Sequence, residues 1–177
     1  MNQITERLHL RKFTVDDITP EYIDALNDKE VVQYTDARHK SWNAENSREF
    51  VVDSNIEGVR ELIGIFLKDS GKHIGNVRLH FDNRERRVAL GIMMWDKTQW
   101  NKGYGTEALM AISDYVFDDL GYHKLWAGYY PENVSSAKLF EKAGFEIEGI
   151  FKDHFVLYGR FVDDVYVAKI NKSGDKQ

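Results

Sequence analysis

The chain contains no cysteine and only 2 prolines. The absence of cysteine removes disulfides, thiolate nucleophiles, zinc–thiolate sites and iron–sulfur clusters together, so any chemistry must run through other side chains. No run approaches the roughly 20 apolar residues that cross a bilayer. Residues Met1–Phe13 scatter Glu6, Arg7, His9, Arg11 and Lys12 among isolated apolar residues, unlike a secretory signal. A cytoplasmic protein that meets no membrane is expected. Positive charge is the scarcer sign: 24 Lys and Arg against 29 Asp and Glu leave a net charge of -5, which argues against broad capture of nucleic acid. The 6 histidines show no ligand spacing and no His-x-x-x-His, so no metal is expected.

What is present is ample material for a core. In 177 residues, 42% are hydrophobic and 30% charged, with no repeat and no linker, which predicts one domain over 1–177 with its core at about 6–170. Leu8–Lys12 alternates as a half-buried strand, and Asp16, Asp17 and Pro20 open a helix carrying Tyr22, Ile23, Ala25 and Leu26. Gln33–Asn43 reads as a loop and Ala44–Asn55 as a second helix. Leu62–Leu67, Ile74–Phe81 and Val88–Trp95 form a meander, joined at Ser70-Gly71-Lys72 and at Asp82–Arg86. Val88–Trp95 is almost wholly apolar and predicts a central strand buried on both faces. Helical spacing from Thr106 to near Gly121, a strand Lys124–Tyr130, a helix Ser135–Ala143, and strands Phe145–His154 and Arg160–Ile170 follow. The polar tail Asn171–Gln177 is expected to fray. The class is α+β, with seven strands and about four helices.

One stretch joins an apolar strand to a helix through Gly103-Tyr104-Gly105. Glycine allows unusual dihedrals and close approach, and a helix start exposes unpaired N–H groups at the positive end of its dipole, so such a corner suits a phosphate. Lys102 adds a positive charge. Packing alone also explains many Gly-x-Gly turns. The spacing matches neither the P-loop nor the dinucleotide fingerprint. A second cluster lies at Asn133, Ser136, Leu139-Phe140-Glu141-Lys142 and Gly144-Phe145, where Asn133 or Ser135 can cap a helix.

Taken together, Trp100, Gly103-Tyr104-Gly105-Thr106-Glu107-Ala108 and the Asn133–Phe145 cluster resemble the GNAT superfamily of acyl-coenzyme A N-acyltransferases, in particular the branch that acetylates ribosomal-protein N-termini (RimJ/RimL-like). The resemblance runs from near Leu8 to near Ile170. It implies a GNAT fold: a mixed, mostly antiparallel seven-stranded sheet splayed between its fourth and fifth strands, here Val88–Trp95 and Lys124–Tyr130. It implies that Trp100, Asn101, Lys102, Gly103, Tyr104, Gly105 and Thr106 wrap the pyrophosphate of acetyl-CoA. Met93, Met94 and Trp95 would pair with its pantetheine arm, Asn133 would hydrogen-bond that arm, and Ser136 would stand beside the sulfur. Phe140 takes the place of a tyrosine that serves many members as general acid. A phenyl ring donates no proton, so that role shifts to Ser136 or water. Trp100 replaces the usual Gln or Arg, and Ala89 stands where the branch often has Glu.

The implied activity is acetyl-CoA-dependent N-acetyltransfer to a primary amine by direct attack in a ternary complex. A lysine amine, with a pKa of about 10.4, is nearly all protonated at neutral pH, whereas an α-amine at about 7.7–8.0 needs less help from a base. Without Glu at position 89 the expected acceptor is an α-amine of a protein N-terminus, an amino sugar or a small amine. A backbone N–H near Met94 would polarise the carbonyl, given a bulged strand. His80, Asp96 and Glu132 are the candidate bases, each also readable as an ordinary solvated residue. Tyr34, Thr35, Arg38 and Trp42 are expected to cover the acceptor pocket. A non-catalytic acyl-CoA sensor or scaffold is the alternative from another class. A homodimer through the late strands is compatible with the sequence.

Overall fold

The computed structural model describes residues 1–172. Alternating apolar positions build eight strands: β1 (Asn2–Ile4), β2 (Leu8–Lys12), β3 (Arg60–Leu67), β4 (His73–Asp82), β5 (Arg87–Met94), β6 (Lys124–Tyr129), β7 (Glu146–Leu157) and β8 (Arg160–Ile170). They form one sheet in the order β1-β2-β3-β4-β5-β6-β8-β7. The expected seven strands become eight because Asn2–Ile4 pairs antiparallel with β2, Gln3 opposite Leu10. Three residues are too few to show a period, which is why β1 left no signal in the sequence.

Five helices accompany the sheet: α1 (Pro20–Asn27), α2 (Lys29–Val32), α3 (Ala44–Asp53), α4 (Tyr104–Asp114) and α5 (Val134–Lys142), with α2 a single turn. Thr19 caps α1 and Asn43 caps α3, each side chain accepting from an N–H of the first helical turn. A π-helical turn, Tyr115–Asp119, prolongs α4. The Gln33–Asn43 loop holds one 3-10 turn, Asp36–His39.

The sheet separates two cores. On one face, α4 and α5 bury Leu109, Ile112 and Phe140 against Val77, Leu79, Val88, Leu90 and Leu125. On the other, α1 and α3 bury Tyr22, Leu26 and Val51 against Phe13, Leu62 and Phe66. That second layer covers β2 to β4 and reaches the end of β5 at Met93.

Two further expectations change. Val88–Trp95 is not buried on both faces. Val88 and Leu90 are buried, Gly91 is exposed, and Ile92, Met93 and Met94 are half-buried. The reason is topological: its neighbour β6 leaves it partway. The tail does not fray from Asn171, whose N–H donates to the His123 carbonyl at 2.8 Å. Residues 173–177 of that tail lie outside the described residues.

Candidate functional site

The parallel ladder between β5 and β6 has only the pairs Arg87↔Lys124, Val88↔Leu125 and Ala89↔Trp126. Past Ala89 the strands part, and a gap opens between the second half of β5 and the end of β6. The Trp95 N–H donates to the Ile74 carbonyl at 3.0 Å. Antiparallel ladders alternate, so the peptide groups of Met93 and Trp95 serve β4, and those of Ile92 and Met94 face the gap. Of the expected trio Met93, Met94 and Trp95, Met94 alone turns its peptide to the gap, and Ile92 joins it. The Trp95 side chain is buried in the core beside Tyr22 and His73. β4 and β5 keep one register from Asp82↔Arg87 to Gly75↔Met94, and directly after Met94 the N–H groups of Trp95 and Asp96 both donate to the Ile74 carbonyl, at 3.0 and 3.2 Å, which is the doubled bond of the β-bulge expected near Met94.

A short corner leads from β5 into α4. Asp96 caps a 3-10 turn, Lys97–Gln99, by accepting from the Thr98 N–H at 3.0 Å. Burial by itself would raise the Asp96 carboxyl, but the bonds from Lys72 and Thr98 outweigh it and hold it below its ordinary value. Trp100 donates its indole N–H to the Met94 carbonyl at 2.7 Å. Asn101 and Gly103 take left-handed backbone, φ 60° and 82°. Gly103 precedes α4 with no side-chain cap, and the first intrahelical bond runs from Glu107 N–H to its carbonyl. The N–H groups of Tyr104, Gly105 and Thr106 therefore have no intrahelical acceptor. Arg7 fixes the corner from β2's approach, donating to the Lys102 carbonyl at 2.9 Å and pairing with Glu107 at 2.6 Å. A Cβ at Gly105 would stand 2.5 Å from Leu139 Cδ1, so glycine lets α4 approach α5 there. Chemically, this corner is a set of amides aimed outward, suited to an anion.

At the start of α5, Asn133 Oδ1 accepts from the Ser136 N–H at 3.1 Å. Its amide nitrogen and the Ser136 hydroxyl make no hydrogen bond among the described residues. Phe140 is only 3% exposed, and its ring is taken up by the core, stacked on Tyr129 and edge-on to Phe145.

On the face opposite α4, the Gln33–Asn43 loop reaches the end of β6. Arg38 donates to the Thr35 carbonyl at 2.8 Å and to the Tyr130 hydroxyl at 2.9 Å, and Tyr34 packs on Tyr130. Trp42, expected with them, lies in the core instead, its indole N–H on the Ala37 carbonyl. None of the three candidate bases looks poised: His80 and Glu132 are exposed, and Asp96 is engaged by Lys72. Two buried polar side chains on this face stand out. Asn76 has neither amide atom bonded, and Asp164 has a bare Oδ1. Burial raises the Asp164 carboxyl. Sequence reasoning passed over both, because a polar residue in an alternating strand reads as the solvent face. Among the described residues no three His, Asp or Glu side chains converge as metal ligands, and no helix is long and apolar enough to cross a membrane.

Comparison with known proteins agrees with this geometry. Residues 7–146 match the model of the acetyltransferase (GNAT) domain. The chain is 29% identical over 177 residues to the uncharacterized N-acetyltransferase p20 of Bacillus licheniformis, covering 95% of this chain and 94% of that one. It is 37% identical over 116 residues to the [ribosomal protein uS5]-alanine N-acetyltransferase of Escherichia coli, covering 63% of this chain and 58% of that one. A GNAT-family acetyltransferase crystal structure from Bacillus anthracis superimposes with a TM-score of 0.81 at 27% identity, over 97% of this chain and 99% of that one.

Proposed function

The chain belongs to the GNAT acetyltransferase family, and from that premise we propose that it moves an acetyl group from acetyl-CoA to a primary amine by direct attack in a ternary complex. We read residues 1–177 as one such domain, its core at about 6–170, working in the cytoplasm. The acceptor is a small amine, an amino sugar or the α-amine of a protein N-terminus. The observation that carries this reading is the short β5–β6 ladder, which ends at Ala89↔Trp126 and leaves Ile92 and Met94 peptides facing a gap beside the amide-lined corner.

In this reading the corner from Trp100 through Asn101, Lys102, Gly103, Tyr104 and Gly105 to Thr106 holds the pyrophosphate. Its left-handed residues turn backbone N–H groups outward, and the dipole of α4 adds to their pull. The Ile92 and Met94 peptides bond the pantetheine arm as a further strand would, and the free amide of Asn133 donates to it. The thioester then lies in the gap, close to Ser136, and the Ser136 hydroxyl delivers a proton to the departing sulfur. Phe140 backs this wall through Tyr129. The acceptor arrives on the opposite face, under Tyr34, Arg38 and Tyr130.

A homodimer across the late strands is part of the proposal. β7 is an edge strand whose Ile147, Ile150 and Phe151 are exposed, and gel filtration with light scattering checks it.

The deciding measurement mixes the protein with acetyl-CoA and a panel of α-amines, amino sugars and small amines, follows thiol release and weighs the products by mass spectrometry. Acetylated amine from one class is expected. Coenzyme binding with no transfer to any amine sinks the catalytic reading and leaves a sensor.

A further inference from the structure

Asp164 is the side chain that the fold explains least. It is 2% exposed, its Oδ1 has no hydrogen-bond partner, and it sits in β8 opposite Phe151 of β7. The Tyr129 backbone supports the carboxylate from β6, yet a buried carboxylate with one bare oxygen is costly and is kept only where something offsets the cost. Its position says where to look. A Cβ at Gly128 would stand 2.7 Å from Oδ1 and 2.9 Å from Oδ2, so the carboxylate lies directly on the bare backbone of β6. Leu125 and Ala127 of β6 face α4, so Gly128, like Trp126, belongs to the opposite face. Gly128 also lies beyond Ala89↔Trp126, the last pair of the β5–β6 ladder, and is therefore part of the gap wall. A depression of about 360 Å³, lined by Arg87, Lys124, Trp126, Glu148 and Tyr166, opens on the same face toward the start of β6.

Resting on the transferase reading above, we propose that Asp164 receives the ammonium group of the acceptor and takes its proton. An N–H bond of the ammonium breaks and the proton goes to a carboxylate oxygen. The freed lone pair forms the C–N bond to the thioester carbonyl carbon while the C–S bond breaks, the sulfur keeping that electron pair and taking up a proton as nitrogen loses its second. Asp164 then returns its proton to solvent. The titratable groups around it are His154 on β7 and Tyr166 on β8; β6 presents only backbone there, at Gly128 and Tyr129. Burial raises the carboxyl, which makes it a stronger base than an exposed aspartate. A carboxylate on β8 also supplies what Ala89 on β5 cannot.

The test compares wild type, Asp164→Asn, Gly128→Ala and, as control, Asp163→Asn, whose side chain pairs with Lys152 and accepts from the Asp153 N–H, a bond that the asparagine Oδ1 can keep. Coenzyme A affinity, melting temperature and kcat from pH 6 to 9 are measured on an amine that the wild type acetylates. Asp164→Asn is expected to keep coenzyme A affinity within about twofold and to lose about 10²–10⁴-fold in kcat at pH 7. That deficit should shrink as rising pH deprotonates the amine itself. Its melting temperature at pH 8 should equal or exceed wild type, because a buried charge is gone. Gly128→Ala, which pushes the carboxylate aside without removing it, should show the same split and decides the matter if Asp164→Asn does not fold. Asp163→Asn should match wild type. An Asp164→Asn enzyme within about threefold of wild type at pH 7, or one that loses rate, coenzyme affinity and melting temperature together, overturns the assignment while the transferase reading stands. A wild type that acetylates no amine overturns both.

Discussion

Trp100 donates its indole N–H to the Met94 carbonyl across 2.7 Å, fastening the amide-lined corner to the last residue of the strand that borders the gap. The bond joins the two parts proposed to hold pyrophosphate and pantetheine, so it fixes their separation. Trp100→Phe keeps the ring and removes the donor, leaving a half-buried carbonyl bare. The loss should be about 1–2 kcal/mol, read as a coenzyme A affinity about 5–30-fold weaker by calorimetry. Unchanged affinity would mean that the corner holds its shape without the tryptophan.

Gly75 in β4 stands opposite Met94, and a Cβ there would lie 2.8 Å from the Met93 carbonyl oxygen and 2.8 Å from Met94 Sδ. The sulfur can swing away, but the carbonyl belongs to the backbone of β5. Gly75→Ala should therefore push the end of β5 outward and destabilise the fold by about 1–3 kcal/mol. Urea denaturation gives the stability and calorimetry the coenzyme affinity, and both should fall. A variant as stable as wild type would show that β5 yields freely.

Ser136→Ala separates catalysis from binding. The Ser136 hydroxyl has no partner among the described residues, while its N–H stays capped by Asn133, so the helix start should survive the change. A thiolate already leaves readily, with a thiol pKa of about 8.5, so the effect should lie near the low end for a proton donor, about 10²-fold in kcat. Coenzyme affinity should barely move. Equal losses in kcat and affinity would reduce Ser136 to a wall of the pocket.

Much of the frame was legible because period and spacing carry it. The alternation of Ile74–Phe81 and the helical spacing after Thr106 both correspond to observed elements, and the corner Trp100–Thr106 stands where its glycines placed it. The misreadings share one cause, which is that long-range pairing decides burial. The apolar stretch of β5 resembled a core strand, yet its neighbour departs after Ala89 and leaves Gly91 exposed. Trp42 resembled a pocket residue and is core. Asp164 is one of two consecutive aspartates on β8. Only the sheet order, which sets β8 against β6 at Gly128, separates it from Asp163 with its exposed lysine partner.

His73 supplies a pH dependence of stability that the sequence did not announce. It sits 8% exposed among Phe13, Phe66, Trp95 and Tyr22, with ring centroids 4.6, 5.0, 5.1 and 5.4 Å away, and its Nε2 donates to the Gly75 carbonyl at 2.8 Å. Burial pushes its pKa down from 6.5 to about 4, because the aromatic cage disfavours the imidazolium. Below pH 6.5 the unfolded chain takes up a proton that the folded chain refuses until about pH 4. His73 therefore stabilises fully above 6.5 and loses that contribution as pH falls to about 4, a drop of about 3 kcal/mol. His73→Phe keeps the ring, cannot titrate and forfeits the bond to Gly75, so it should be somewhat less stable than wild type at pH 7.5. Between pH 6.5 and 4.5 its stability should decline less steeply, and the two curves should converge or cross. Urea unfolding at half-unit intervals measures both. Parallel curves across that window would show that His73 carries its proton in the folded protein as readily as in the unfolded one, and that the cage is open to water.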